Sequence, residues 1–163
     1  MRADANGGSD MFTASELFDL AIQVEVNGEL FYRYALEKMQ GPVKDVLLWL
    51  AEQESEHRSV FLDIKERLCG KETSGPEISG ASRTVLQVAM GRHAFSLDEL
   101  DLDSIQDKCE LLRAAISFEE DAIAFFELMS SFVSDTEAIA TIEKIRREEL
   151  NHKRMLLEKL SEQ

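Results

Sequence analysis

The stretch Glu149-Leu150-Asn151-His152 places a Glu and a His three residues apart, and Glu54-Ser55-Glu56-His57 repeats that spacing earlier in the chain. Residues three apart on an α-helix lie on one face, so a carboxylate oxygen and an imidazole nitrogen can reach the same point. One such pair would be weak evidence in a chain this rich in Glu. Two pairs, on two of the three histidines, favour a metal site over a pair of solvated helix faces.

The composition limits the partners that the protein can have. Its formal net charge of -14 repels nucleic acid and anionic membranes, so we expect neither as a partner, and it suits a protein that attracts cations. The chain has no apolar run of membrane-spanning length and no apolar core of a signal peptide, which predicts a cytoplasmic protein. Cys69 and Cys109 form no Cys-x-x-Cys motif, which excludes a zinc knuckle and a rubredoxin-type iron site.

Helical periodicity predicts one domain over residues 13–163, after a mobile N-terminus at residues 1–12. Capping-box spacings at Thr13 with Glu16 and at Ser134 with Glu137 predict two helix starts, and Gly41-Pro42 predicts a helix end. The four predicted helices cover about residues 13–40, 42–68, 104–131 and 134–160.

The connections between these helices predict their arrangement. The first and third are short, which makes the helices on either side antiparallel neighbours. Residues 71–103 form a crossover with one short helix at about 83–90 and no convincing strand alternation. The predicted fold class is all-α: a four-helix bundle of two antiparallel hairpins joined by a long crossover, with ferritin-like connectivity.

The two halves of the chain repeat each other at the candidate ligands. Glu25 recurs 94 residues later as Glu119, and the pair at 54 and 57 recurs 95 residues later. Each half therefore has one lone Glu on its first helix and one Glu-x-x-His on its second. The six candidate metal ligands are Glu25, Glu54, His57, Glu119, Glu149 and His152.

Helix phase places these ligands on apolar stripes, because residues seven apart differ by only about 20° around the axis. Glu119 interrupts a stripe, whereas its neighbour Glu120 is turned about 100° away. Buried carboxylates without partners cost several kcal/mol each, and four carboxylates crowded together should raise one another's pKa values. Two divalent cations would cancel the charge of four carboxylates and two neutral imidazoles. The pattern therefore predicts a dinuclear metal site.

These residues make the chain similar to the rubrerythrin branch of the ferritin-like di-iron carboxylate proteins. The resemblance covers about residues 13–160 and is carried by Glu25-x-x-Gly28-x-x-Phe31-Tyr32 and the two Glu-x-x-His pairs. It implies that Glu54 and Glu149 bridge two irons, that Glu25 and Glu119 are terminal, and that each His gives one nitrogen to one metal. Mixed imidazole and carboxylate ligands suit iron, with manganese as the alternative.

The same resemblance implies a non-haem oxidoreductase that couples ferrous iron oxidation to the reduction of peroxide or dioxygen, fed by a separate electron donor, usually as a homodimer. Two features depart from peroxidase-type rubrerythrins. Ala122 stands where they have a further Glu, and the rubredoxin-like Cys-x-x-Cys module is absent. Ser55 stands where a haem-binding Met would follow the second-helix Glu in bacterioferritin, so no haem is expected. The alternatives are a di-iron oxygenase acting on an organic substrate and a non-enzymatic iron-binding bundle.

Several residues near the ligands have weaker assignments. Tyr32 is a candidate catalytic residue that would either hydrogen-bond a ligand carboxylate or be oxidised, with a core aromatic as the alternative. Trp49 is predicted to point away from the metal stripe and to bury its ring against either the crossover or another subunit, where it would form a dimer contact with Leu48. His93 is predicted to be a surface residue. The acidic residues predicted to be mostly solvated flanks are Glu29, Glu52, Glu56, Glu120, Asp121 and Glu148. Glu29 is close enough to the stripe for an alternative role as a hydrogen-bond partner of a ligand.

Overall fold

A computed structural model describes residues 11–70, 77–82, 105 and 107–162. Its helices are α1 (Ala14–Lys38), α2 (Val43–Cys69), α3 (Lys108–Ser130) and α4 (Thr136–Ser161), and its strands are β1 (Met11–Thr13) and β2 (Glu77–Ser82). The predicted fold class, a four-helix bundle of two hairpins, is confirmed. Of the predicted mobile N-terminus at 1–12, residues 1–10 lie outside the described residues, as do the short crossover helix and His93, whereas residues 11 and 12 belong to β1.

The helix starts follow from side-chain caps. The capping box of α1 is confirmed: the Thr13 hydroxyl accepts from the backbone N–H of Glu16, and the Glu16 carboxylate accepts from the backbone N–H of Thr13. The predicted cap of α4 was wrong by one residue. Asp135 caps this helix instead of Ser134, because its carboxylate accepts from the backbone N–H of Ala138 at 2.8 Å. It also pairs with Arg67 of α2 at 2.9 Å.

The third helix begins later than the sequence predicted. Its first residue is Lys108 rather than Ser104, and Asp107 is the cap, accepting from the backbone N–H of Glu110 at 2.8 Å. At the end of α2, Gly70 adopts a positive φ of 60°, which side chains disfavour. The two hairpins, α1 with α2 and α3 with α4, then pack through contacts of α1 with α3 and of α2 with α4.

A two-stranded antiparallel ladder joins β1 to β2, which the sequence did not predict. Met11 lies opposite Ser82, and Thr13 lies opposite Glu77, with an irregular register between them. Backbone hydrogen bonds form such a ladder, so it needs no alternation of apolar side chains. The ladder attaches the start of α1 to the described part of the crossover.

The core has two apolar clusters that lie on either side of a polar layer. One cluster contains Phe18 and Val24 of α1 with Phe125 and Phe126 of α3, and the other contains Phe31 of α1 with residues of the remaining helices. Each helix has residues of one cluster before its candidate ligands and residues of the other cluster after them, so the ligands lie between the two clusters. None of the helices in the described ranges has the length and apolar character needed to cross a membrane.

Candidate metal centre

The structure brings all six sequence-predicted ligands together in the middle of the bundle. They form two groups of four, whose ligand atoms lie within 4.8 Å of one another in each group. The groups are Glu25, Glu54, His57 and Glu149, and Glu54, Glu119, Glu149 and His152. Glu54 and Glu149 belong to both groups. All six residues are at most 4% exposed.

The two imidazoles face the same central carboxylate. Nδ1 of His57 lies 2.8 Å from Oε1 of Glu149, and Nδ1 of His152 lies 2.8 Å from Oε2 of that carboxylate. The imidazole rings are nearly parallel, with centroids 5.7 Å apart. Nδ1 of His57 also lies 3.6 Å from Oε2 of Glu25, and Nδ1 of His152 lies 3.4 Å from Oε1 of Glu54. Each half thus presents one inward-facing nitrogen among carboxylate oxygens.

Burial and the neighbouring charges shift the pKa values of these groups. Burial, followed by repulsion from neighbouring carboxylates, raises the pKa of Glu25, Glu54 and Glu119. The expectation that all four carboxyl pKa values rise is wrong for Glu149. Burial would raise its pKa, but the interactions with His152 and His57 outweigh burial and lower it. Glu149 is therefore the carboxylate that stays ionised between the two histidines.

The two histidines titrate in the opposite direction from what their burial dictates. Burial favours the neutral imidazole, yet the interactions with Glu149 and Glu54 outweigh it and raise the pKa of His152 to about 9. The pKa of His57 is also raised, by Glu149 and Glu25. In the absence of a cation, protons on the imidazoles balance part of the carboxylate charge.

Several ligand atoms that face the centre of the cluster have no hydrogen-bond partner among the described residues, and this shows whether the cluster fits metal ions. Among the described residues, buried Oε1 atoms of Glu25, Glu54 and Glu149 and Nδ1 of His57 have no hydrogen-bond partner. Nδ1 of His57 is close to Glu149 without the alignment of a hydrogen bond. Buried polar atoms normally find partners, and a cation coordinated by them would satisfy these atoms. The nitrogen and oxygen donors fit two first-row divalent metals.

Tyr32 lies beside one of the ligands, as the sequence predicted for a hydrogen-bonding role. Its hydroxyl, fully buried, donates to Oε1 of Glu119. Burial and the charge of Glu119 raise the pKa of Tyr32 well above its usual value. The phenol therefore stays protonated and keeps donating to the ligand carboxylate.

Glu148 contacts a candidate ligand, which the sequence reasoning did not predict. Its prediction as a solvated flank was wrong, because Oε2 lies 3.2 Å from Nε2 of His57. Helix phase correctly predicted that Glu148 lies off the ligand stripe. It could not predict that Nε2 of His57 on α2 contacts Glu148 on α4. The adjacent position of Glu148 before the ligand Glu149 was the available signal. A carboxylate on the outer nitrogen fixes the tautomer of a metal-binding histidine.

Trp49 does not point away from the metal stripe, so that prediction was also wrong. Its ring contacts the ring of His152 edge to face, with centroids 5.2 Å apart and an interplanar angle of 85°. The long side chain reaches from α2 across to α4, while 38% of the residue stays exposed. Trp49 therefore covers the outer side of a candidate ligand.

Glu29 and Glu120 have partners outside the ligand cluster. Glu29 is buried rather than solvated, and it pairs with Arg33 and with Arg58, each at 2.7 Å. Glu120 pairs with Lys153 at 2.8 Å and is exposed. Glu52 and Glu56 are also exposed, as predicted, and Asp121 is half-buried. Helix phase thus separated Glu119 from Glu120 correctly.

A buried cluster of four carboxylates and two imidazoles in a four-helix bundle is the arrangement of the ferritin-like di-iron carboxylate class. Within that class the chain belongs to the rubrerythrin family, because the family model described as Rubrerythrin matches residues 16–161. A search of curated proteins gives no match.

Two solved structures share the fold. A putative ferritin-like diiron-carboxylate protein from Thermotoga maritima has a TM-score of 0.74 and 27% identity, covering 93% of this chain and 97% of its own. A hypothetical protein from Pyrococcus furiosus has a TM-score of 0.66 and 23% identity, covering 92% of this chain and 89% of its own. The first supports a di-iron protein, and the second supports the fold.

Proposed function

We propose that this chain is a non-haem di-iron oxidoreductase of rubrerythrin type, which couples the oxidation of two ferrous ions to the reduction of hydrogen peroxide or dioxygen. The observation that supports it most is the pair of four-residue groups that share Glu54 and Glu149. In this proposal Glu54 and Glu149 would be shared by two iron ions. Glu25 and His57 would help to hold one ion, and Glu119 and His152 would help to hold the other.

The bound ferrous pair would supply the two electrons that, with two protons, convert one hydrogen peroxide into two water molecules. The protein would bind and orient the ions and exclude bulk water from the buried cluster. Tyr32 holds a proton next to Glu119. The near-complete burial of the ligands favours a small oxidant over an organic substrate, which would need a pocket beside the ions.

Metal analysis after anaerobic loading tests this proposal. We expect about two iron ions per chain, and stopped-flow spectroscopy should show one peroxide consumed for every two ferrous ions oxidised. A protein that binds iron but does not oxidise it with either oxidant would be a non-enzymatic bundle. If the chain binds no iron, the proposal is wrong. If it hydroxylates an added organic compound, the oxygenase is favoured instead.

The partners follow from the same proposal. We propose that a separate electron donor restores the reduced state. Leu48 and Trp49 are 44% and 38% exposed on α2, and we propose that they contribute to a homodimer contact. Small-angle scattering at micromolar concentration should give the mass of a dimer, and a monomer mass would contradict this.

A further inference from the structure

The surroundings of the two candidate metal positions differ, although the ligands repeat. We propose that the positions bind metal with unequal affinity: the position of Glu25 and His57 fills first, and the position of Glu119 and His152 holds the second, more readily exchanged ion. This inference rests on the dinuclear centre proposed above and adds an order of binding to it.

The histidines differ in what their outer nitrogens contact. Nε2 of His57 lies 3.2 Å from the carboxylate of Glu148. A carboxylate that accepts the outer N–H makes the inward nitrogen a stronger electron donor and holds the ring in place. Lys144 lies 3.5 Å from the other oxygen of Glu148, but it is 68% exposed, so solvent screens much of its charge.

His152 makes no corresponding contact within the part of the chain that the structure describes. The residue 95 positions before Glu148 is Gln53, and its side chain donates to Glu56 at 3.2 Å. Among the described residues, Nε2 of His152 has no hydrogen-bond partner, and the aromatic ring of Trp49 lies against its imidazole. His152 therefore lacks the negatively charged acceptor that strengthens His57.

The terminal carboxylates differ in the same direction. Glu119 accepts a hydrogen bond from Tyr32, which occupies one lone pair and draws charge from the carboxylate. The residue 94 positions after Tyr32 is Phe126, which has no hydroxyl, and Oε1 of Glu25 has no hydrogen-bond partner among the described residues. The Glu25 carboxylate is thus the stronger electron-pair donor to a metal. Both differences favour the position of Glu25 and His57.

Titration of the metal-free protein with Co²⁺, followed by visible absorption and calorimetry, tests the inference without any turnover. We expect two binding steps in the native chain. Glu119→Ala should keep the tighter step, and Glu25→Ala should lose it. Glu148→Gln should weaken the tighter step by about 10- to 100-fold and leave the weaker step unchanged.

Two controls separate this effect from net charge and from folding. Glu143→Gln removes the same charge from a side chain that is 33% exposed and bonded to Arg146, so both steps should be unchanged. Gln53→Glu should tighten the weaker step, whereas Gln23→Glu, at an exposed position on α1, should not. Two equal steps in the native chain, or an equal effect of Glu148→Gln on both steps, would overturn the order of binding but leave the metal centre in place. Failure of the native chain to bind two ions would remove the metal centre itself.

Discussion

The side chain of Glu54 on α2 passes directly over Gly28 on α1. A Cβ added at position 28 would lie 2.6 Å from Oε2 of Glu54 and 3.1 Å from its Cδ. These separations are shorter than van der Waals contact. The glycine of the Glu25-x-x-Gly28 motif therefore provides the space that the shared carboxylate occupies, even though glycine weakens a helix interior.

Replacing Gly28 by Ala should lower metal affinity without unfolding the protein. Alanine stabilises a helix by about 1 kcal/mol relative to glycine, while the new methyl group displaces Glu54 from its position between the two groups. We expect metal-free thermal stability to change little and bound iron to fall. Iron analysis and thermal unfolding measured together check this, with Leu30→Ala on the exposed face of α1 as the control. Unchanged iron content would show that Glu54 does not need the space that Gly28 leaves.

Replacing Glu149 by Ala should weaken the binding of both ions together, since this carboxylate contacts both histidines. Its matched control is Glu120→Ala, which removes an exposed partner of Lys153 and should change stability by no more than about 0.5 kcal/mol. Metal analysis and circular dichroism provide the measurements. Equal loss of iron in the two variants would contradict the prediction, from helix phase, that Glu149 faces the metal site and Glu120 does not.

The metal-free protein should lose stability as pH rises from about 6.5 through 9. The pKa of His152 in the folded protein is about 9, above its ordinary value of 6.5, so its contribution to stability is fully present below pH 6.5 and is lost as the pH rises through 9. This contribution is on the order of 3 kcal/mol. Glu25 and Glu119, whose pKa values are raised, act in the same direction, while the lowered pKa of Glu149 gives a contribution that is constant above 4.5.

Urea unfolding across this pH range, with and without chelator, measures the effect. Bound metal displaces the protons, so the loaded protein should be more stable and should show a smaller decline, and metal binding at neutral pH should release protons into an indicator dye. His152→Gln should flatten the decline of the metal-free protein. A native metal-free curve that is flat from 6.5 to 9 would contradict the prediction.

Replacing Tyr32 by Phe should destabilise the metal-free protein by about 1 kcal/mol, because it removes one buried hydrogen bond to Glu119 and keeps the ring. Tyr34→Phe on the same helix is the control. Tyr34 is half-buried, with Lys38 over its ring, so water can replace contacts of its hydroxyl and the cost should be smaller. Denaturant unfolding compares the two variants, and equal costs would argue against a special role for the Tyr32 hydroxyl.

The fold and the inward ligands were predictable because each leaves a periodic signal in the sequence. Glu119 and Glu149 interrupt apolar stripes, and the stripe alone decides which neighbour faces inward. The contacts of Glu148 and Trp49 were not predictable in this way. They depend on how α2 and α4 face each other, and one-dimensional periodicity contains no information about that.

The cap of α4 and the ladder of β1 with β2 escaped prediction for other reasons. Ser134 and Asp135 are adjacent and both can cap a helix, so spacing could not choose between them. Arg67 pairs with Asp135 from another helix, and sequence spacing does not reveal this contact. The ladder uses backbone groups, which every residue has.

Each four-residue group takes three ligands from one hairpin and a single shared carboxylate from the other. Two identical hairpins could build the same cluster as a symmetric pair of separate chains, but every substitution would then appear twice. Joining the hairpins in one polypeptide allows each to change alone. The exchange of tyrosine for phenylalanine at 32 and 126, and of glutamine for glutamate at 53 and 148, is available only to the joined chain.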